Sequence, residues 1–108
     1  MRRTGAALII LKSAFAEDSR VWQHVNLDRE EISFRKILND GTFSSGERIL
    51  LSVAASLFNP EHSINLWEVL NRLDETNTDL VLTAIRSFIG EPEACRLSTI
   101  RGKLRLAT

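Results

Sequence analysis

Cysteine occurs once in this 108-residue chain, as Cys95, and histidine and proline occur twice each. A single cysteine excludes an intrachain disulfide and fits a reducing compartment, so a cytoplasmic protein is expected. His24 and His62 are far apart in sequence and far from Cys95. They do not offer the three or four ligands at recognisable spacing that a zinc site needs, so no metal is expected. No apolar run approaches the roughly 18 residues of a membrane-spanning helix, so no membrane partner is expected. A glycine-rich phosphate loop is also missing. Ser44-Ser45-Gly46 offers N–H groups at a helix start but lacks the lysine and second glycine of a nucleotide loop, so no cofactor is expected.

The N-terminus carries part of the outline of a secretory signal. Arg2 and Arg3 precede the apolar stretch Ala6 to Leu11, and Ala14-Phe15-Ala16 has the form of a signal-peptidase site. Lys12 interrupts that stretch after six residues, short of the roughly 7–15 that a signal requires. The segment therefore reads as a helix or strand packed on the core.

What is present is ordinary globular material: 44% hydrophobic and 26% charged residues in a single-domain length. That suffices for one core spanning residues 1–108 without a covalent staple. Net charge is zero but unevenly placed, at +3 over residues 1–16, −7 over 17–93 and +4 over 94–108. Basic ends on an acidic body suit contact with a polyanion, but no block of five or six like charges occurs. The preferred reading is that the ends fold back onto the acidic body or simply keep the chain soluble.

Helix starts are the clearest local signals. Asp28-Arg29-Glu30-Glu31 has the form of a capping box, with Phe34, Ile37 and Leu38 on one following face and Asp40-Gly41 as a left-handed stop. Ser44-Ser45-Gly46-Glu47 repeats the signal and opens a helix to about Phe58. Ile49, Leu50, Val53, Ala54 and Leu57 make its broad apolar face, Leu51, Ala55 and Phe58 extend it, and only Arg48, Ser52 and Ser56 form a polar stripe. Such a helix is expected at the centre of the fold. Asn65 and Glu68 form a third box, with Ile64 and Val69 placed as a hydrophobic staple. Leu66, Val69, Leu70 and Leu73 are the expected buried stripe of that helix. Asp74 is expected to cap a further helix that buries Val81, Ala84, Ile85 and Phe88 and ends at Gly90 and Pro92. In the last segment Ile100, Gly102, Leu104 and Leu106 alternate with basic residues as in a strand, while Leu97, Ile100 and Leu104 suit a helix equally.

Candidate chemistry is sparse. Glu30-Glu31 and Asp74-Glu75 are paired carboxylates, but both pairs stand where helix starts favour negative charge. Cys95 reads as a spare thiol and His62 as a surface residue. Trp67 lies off the main stripe of its helix. It is either the rim of the core, the preferred reading, or the anchor for a partner.

The order of helix 45–58, helix 65–73, tight turn, helix 75–89 and basic segment 96–107 resembles the layout of winged-helix DNA-binding domains. That resemblance covers the last two thirds of the chain. It implies that Thr76, Thr78, Thr83 and Arg86 face DNA, and that Arg101, Lys103 and Arg105, with Arg96 nearby, belong to a basic wing. Two features depart from the family. Glu75 and Thr76 replace the aliphatic anchor of the turn, and the reading helix carries Glu75 and Asp79 against the single base Arg86, a poor match to phosphate.

The fold expected is all-α, a compact non-parallel bundle of four or five short helices with short strands at the termini. The expected function is non-catalytic: a small interaction or regulatory protein whose partner is another protein or a second copy. The alternative is a DNA-binding regulator of helix-turn-helix or winged-helix type, using nucleic-acid contacts from Arg86, Arg96, Arg101, Lys103 and Arg105.

Overall fold

The computed structural model describes residues 2–90. The expectations placed on Pro92, Cys95, Arg96, Arg101, Lys103 and Arg105 lie outside them.

Helix α1 spans Arg2–Ala14. Ala6, Ala7, Ile10 and Leu11 fall on one face at helical spacing and are completely buried. Two alanines on that face let neighbouring backbones approach closely. The apolar stretch at the N-terminus is therefore a core helix. Asp18 then caps the short helix α2, Ser19–Trp22, by accepting from the Arg20 N–H.

A hairpin follows where the sequence predicts a helix start at Asp28. Strands β1 (Val25–Asn26) and β2 (Glu31–Ile32) pair antiparallel, with Val25 opposite Ile32 and Asn26 opposite Glu31. Within the turn, Asn26 Oδ1 accepts from the Arg29 N–H at 3.2 Å and the Glu30 N–H donates to the Leu27 carbonyl at 3.2 Å. Glu30 closes the turn at φ 54°. The Asp28–Glu31 spacing is thus spent on a turn. The β-branched residues Val25 and Ile32 pair across the strands, and Ile32 is buried. Helix α3, Phe34–Leu38, begins only after Ser33, whose side chain makes no capping bond. Gly41 is not left-handed; the turn after α3 is held by Asp40, which accepts from both the N–H and the hydroxyl of Thr42. The short strands lie inside the chain, and its N-terminal end is helical.

Helix α4, Ser45–Phe58, starts on a complete capping box. The Ser44 hydroxyl accepts from the Glu47 N–H, and Glu47 accepts from the Ser44 N–H at 2.8 Å. Helices α5 (Leu66–Arg72) and α6 (Glu75–Ile89) follow. Helix α4 packs against α1, α3, α5 and α6, as its narrow polar stripe predicts, and α1 packs on both α4 and α6. Leu50, Leu51, Val53, Ala54 and Ala55 are buried, whereas Leu57, expected in the core, is only half-buried at the end of the helix. Phe34 stacks at a tilt on Phe58, and Phe15 meets Phe43 edge-on, ring centroids 5.6 and 5.9 Å apart. The whole is mostly helical, six helices and two short strands among the described residues.

Candidate interaction surface

Helix α5 is anchored at its start by Asn65, whose side chain accepts from the Glu68 N–H at 3.3 Å. The Asn65 half of the predicted box is therefore in place, without the return bond from the Glu68 side chain that α4 has in Glu47. Its neighbour in sequence, Ile64, is 36% exposed. Of the seven residues of α5 only Val69 is buried, and its principal neighbour is α4. The rest of the apolar arc opens to solvent: Trp67 is 73% exposed, Leu66 65% and Leu70 61%. Leu66 and Leu70 stand i, i+4 and Trp67 stands beside them, so the three form one patch on the helix surface.

Two expectations are corrected here. Leu66 and Leu70 belong to the expected buried stripe of this helix, yet both are exposed. Trp67 is not a rim of the core. A seven-residue helix held chiefly on one side can turn only a narrow arc toward that neighbour. Val69 occupies the arc facing α4, and nothing among the described residues covers the opposite flank. The contrast with Trp22 is direct. Trp22 is half-buried and its indole N–H donates to the Phe15 carbonyl at 2.6 Å.

On α6, capped by Asp74 through the Asn77 N–H at 2.8 Å, Val81 and Ala84 are buried as expected. Ile85 is 36% exposed and Phe88 is half-buried. Arg86 is exposed and makes no ion pair among the described residues. Thr78 and Thr83 direct their hydroxyls to the carbonyls of Asp74 and Asp79 in their own helix, at 2.8 and 2.9 Å. Glu75 and Asp79 are exposed on the same helix. The remaining residues expected to touch nucleic acid, Arg96, Arg101, Lys103 and Arg105, lie outside the described residues.

The polar network that sequence reading misses centres on Arg20. Arg20 donates to Asp18 at 2.9 and 2.6 Å and to the carbonyl and hydroxyl of Thr42 at 3.2 and 3.0 Å, and its guanidinium lies 4.1 Å from the centre of the Phe43 ring. Hydrogen bonds from Arg20 hold the Asp18 carboxyl below its ordinary pKa, and those from the Thr42 hydroxyl and amide do the same for Asp40. This cluster ties α2 to the α3–α4 loop. Its only sequence signal is Asp18 two residues before Arg20, a spacing too common to be diagnostic.

The hollow beside the hairpin, about 580 Å³, is lined by His24, Asp28, Glu31, Ser33 and Lys36 among others. No hydrogen bond or ion pair joins those side chains. His62 is half-buried and packs edge-on against Phe34 at 6.3 Å. Among the described residues no group of three or more His, Cys, Asp or Glu side chains could hold a metal ion, and no helix is long and apolar enough to cross a membrane. No protein-family model, curated protein or solved structure matches this chain.

Proposed function

We propose that this chain is a small non-catalytic interaction protein that binds another protein through the open face of α5, with Trp67 as its anchor. The observation that carries the reading is the 73% exposure of Trp67 between Leu66 and Leu70, on a helix whose start is fixed by the Asn65 cap. Tryptophan offers the largest apolar area per side chain with few rotors to freeze, which is why it is enriched among binding hot spots. A rigidly presented helix face with anchors at i and i+4 fits an apolar groove on a partner.

The test compares the wild-type chain with Trp67→Asp and Leu70→Asp as baits. Proteins retained by the first are then expressed and measured as purified pairs. Trp67→Ala should weaken the pairwise affinity by about 30-fold or more, the scale of a hot-spot loss near 2 kcal/mol. Melting temperatures should not change, because these side chains are exposed. Retained proteins whose affinity ignores both substitutions would place the binding surface elsewhere and overturn the proposal.

A further inference from the structure

Among the described residues Thr4 is the one polar side chain in the buried set, at 8% exposure. It stands i, i+3, i+7 with Ala7 and Leu11, on the face that α1 turns to the body of the fold. Thr78 and Thr83 donate to carbonyls four residues back in α6. Thr4 lies in the first turn of α1, which starts at Arg2, and has no helical carbonyl behind it. Its hydroxyl makes no hydrogen bond among the described residues. Such a buried hydroxyl carries a desolvation cost that a bound ligand can offset.

Thr4 lines a hollow of about 530 Å³ together with Arg3, Arg29, Glu30, Phe58 and Asn59. The hollow forms because α1 and α4 run antiparallel. Phe15, after the end of α1, meets Phe43, just before α4, and the start of α1 lies beside the end of α4 at the opposite pole. The hairpin turn adds Arg29. Neither Arg3 nor Arg29 makes an ion pair or a side-chain hydrogen bond among the described residues, whereas Arg20 and Arg48 are both engaged. Arg3 also stands in the first turn of a helix that has no acid there. The positive end of a helix dipole disfavours a base at that place and favours an anion. Glu30 is the one carboxylate on the wall, set against two guanidinium groups. Phe58, half-buried, gives the hollow an apolar side.

We infer that this hollow binds a small phosphate monoester, its phosphate held by Arg3, Arg29 and the Thr4 hydroxyl and its organic group resting on Phe58. Two guanidinium forks and a hydroxyl supply donors for three terminal oxygens, one more than a carboxylate has. The phosphate also brings the negative charge that the first turn of α1 lacks. The volume is that of a small-molecule site. The hollow shares no residue with the α5 face, and the inference does not rest on it.

Titration of the isotope-labelled full-length chain with phenyl phosphate, followed through its amide signals, tests this against benzoate and inorganic phosphate. Benzoate keeps the ring with one oxygen fewer, and inorganic phosphate lacks the ring. Phenyl phosphate should give saturable shifts at Thr4, Arg29 and Asn59, and both controls should bind more weakly. Arg3→Gln and Arg29→Gln should each weaken binding about tenfold or more, the scale of one hydrogen bond to a charged group. Thr4→Val keeps the shape and removes the hydroxyl. It should weaken binding while the melting temperature of the free chain holds or rises, because no internal hydrogen bond is lost. Unchanged affinity in the two arginine variants, a lower melting temperature in Thr4→Val, or benzoate bound as tightly as phenyl phosphate overturns the inference. Trp67→Asp should leave the phenyl phosphate affinity unchanged, so this reading and that of the α5 face fail separately.

Discussion

Helices α4 and α5 both begin on a side-chain cap, Ser44 in one case and Asn65 in the other, and both carry an apolar stripe. Helix α4 buries Leu50, Leu51, Val53, Ala54 and Ala55, whereas α5 buries Val69 alone and exposes Leu66, Trp67 and Leu70. The local chemistry of the two starts is nearly the same. The difference lies in neighbours: α4 is packed by four other helices, while α5 has α4 as its one principal contact. An amphipathic pattern states that a helix has an apolar face. Whether the domain covers that face depends on how many elements converge on it, and where they do not, an apolar surface is left exposed.

The largest effect that separates the two regions is truncation. Leu51 is completely buried, so Leu51→Ala should cost about 2–5 kcal/mol in urea denaturation, the transfer term plus the cavity left behind. Leu70→Ala should fall within about 0.5 kcal/mol of wild type, as exposed substitutions do. A Leu70→Ala loss approaching that of Leu51→Ala would mean that α5 is covered in solution and would break the comparison.

The caps give an intermediate effect. Ser44→Ala removes one half of a reciprocal box at the start of a central helix and should lower global stability by about 0.5–2 kcal/mol. Asn65→Ala removes a single bond from a helix held chiefly through Val69. It should raise hydrogen exchange across the α5 amides with a smaller change in global stability, since local opening needs little of the core to move. Equal global losses from the two substitutions would show that α5 and α4 open as one unit.

The smallest effect concerns pH and belongs to the packed side alone. Arg20 holds the Asp18 carboxyl below its ordinary value of 3.8. Unfolded Asp18 therefore binds a proton at higher pH than folded Asp18. Its contribution is fully present above the ordinary value and is lost as pH falls through the depressed one. Asp18→Asn should flatten the acid limb of stability below about pH 4, the ordinary range of a carboxylate. An unaltered acid limb in Asp18→Asn would mean that the Arg20 cluster does not persist in solution.

The parts of this fold legible in sequence are those decided by atoms a few residues apart. Ser44, Asn65 and Asp74 each accept from an N–H three residues ahead, and Gly90 provides the left-handed end of α6. Asp28 shows how such a signal is overruled. Its spacing to Glu31 is that of a box, but the Asn26 turn and the pairing of Val25 with Ile32 draw the segment into a hairpin. For the candidate surface, Trp67 is conspicuous in the sequence as one of two tryptophans. Its exposure is not, because the same residue pattern would serve a core helix.

By itself, then, the sequence determined a mostly helical chain with too few cysteines for an intrachain disulfide, and it marked where α4, α5 and α6 start. Capping and turn hydrogen bonds are local, so their partners can be read a few positions away. Tertiary structure alone decided that the N-terminal apolar stretch is a core helix, that Arg20 gathers Asp18 and Thr42, and that Trp67 faces outward while Trp22 bonds to the Phe15 carbonyl. Those outcomes depend on which surfaces meet across long sequence separations, and burial is a property of the meeting surfaces rather than of either segment.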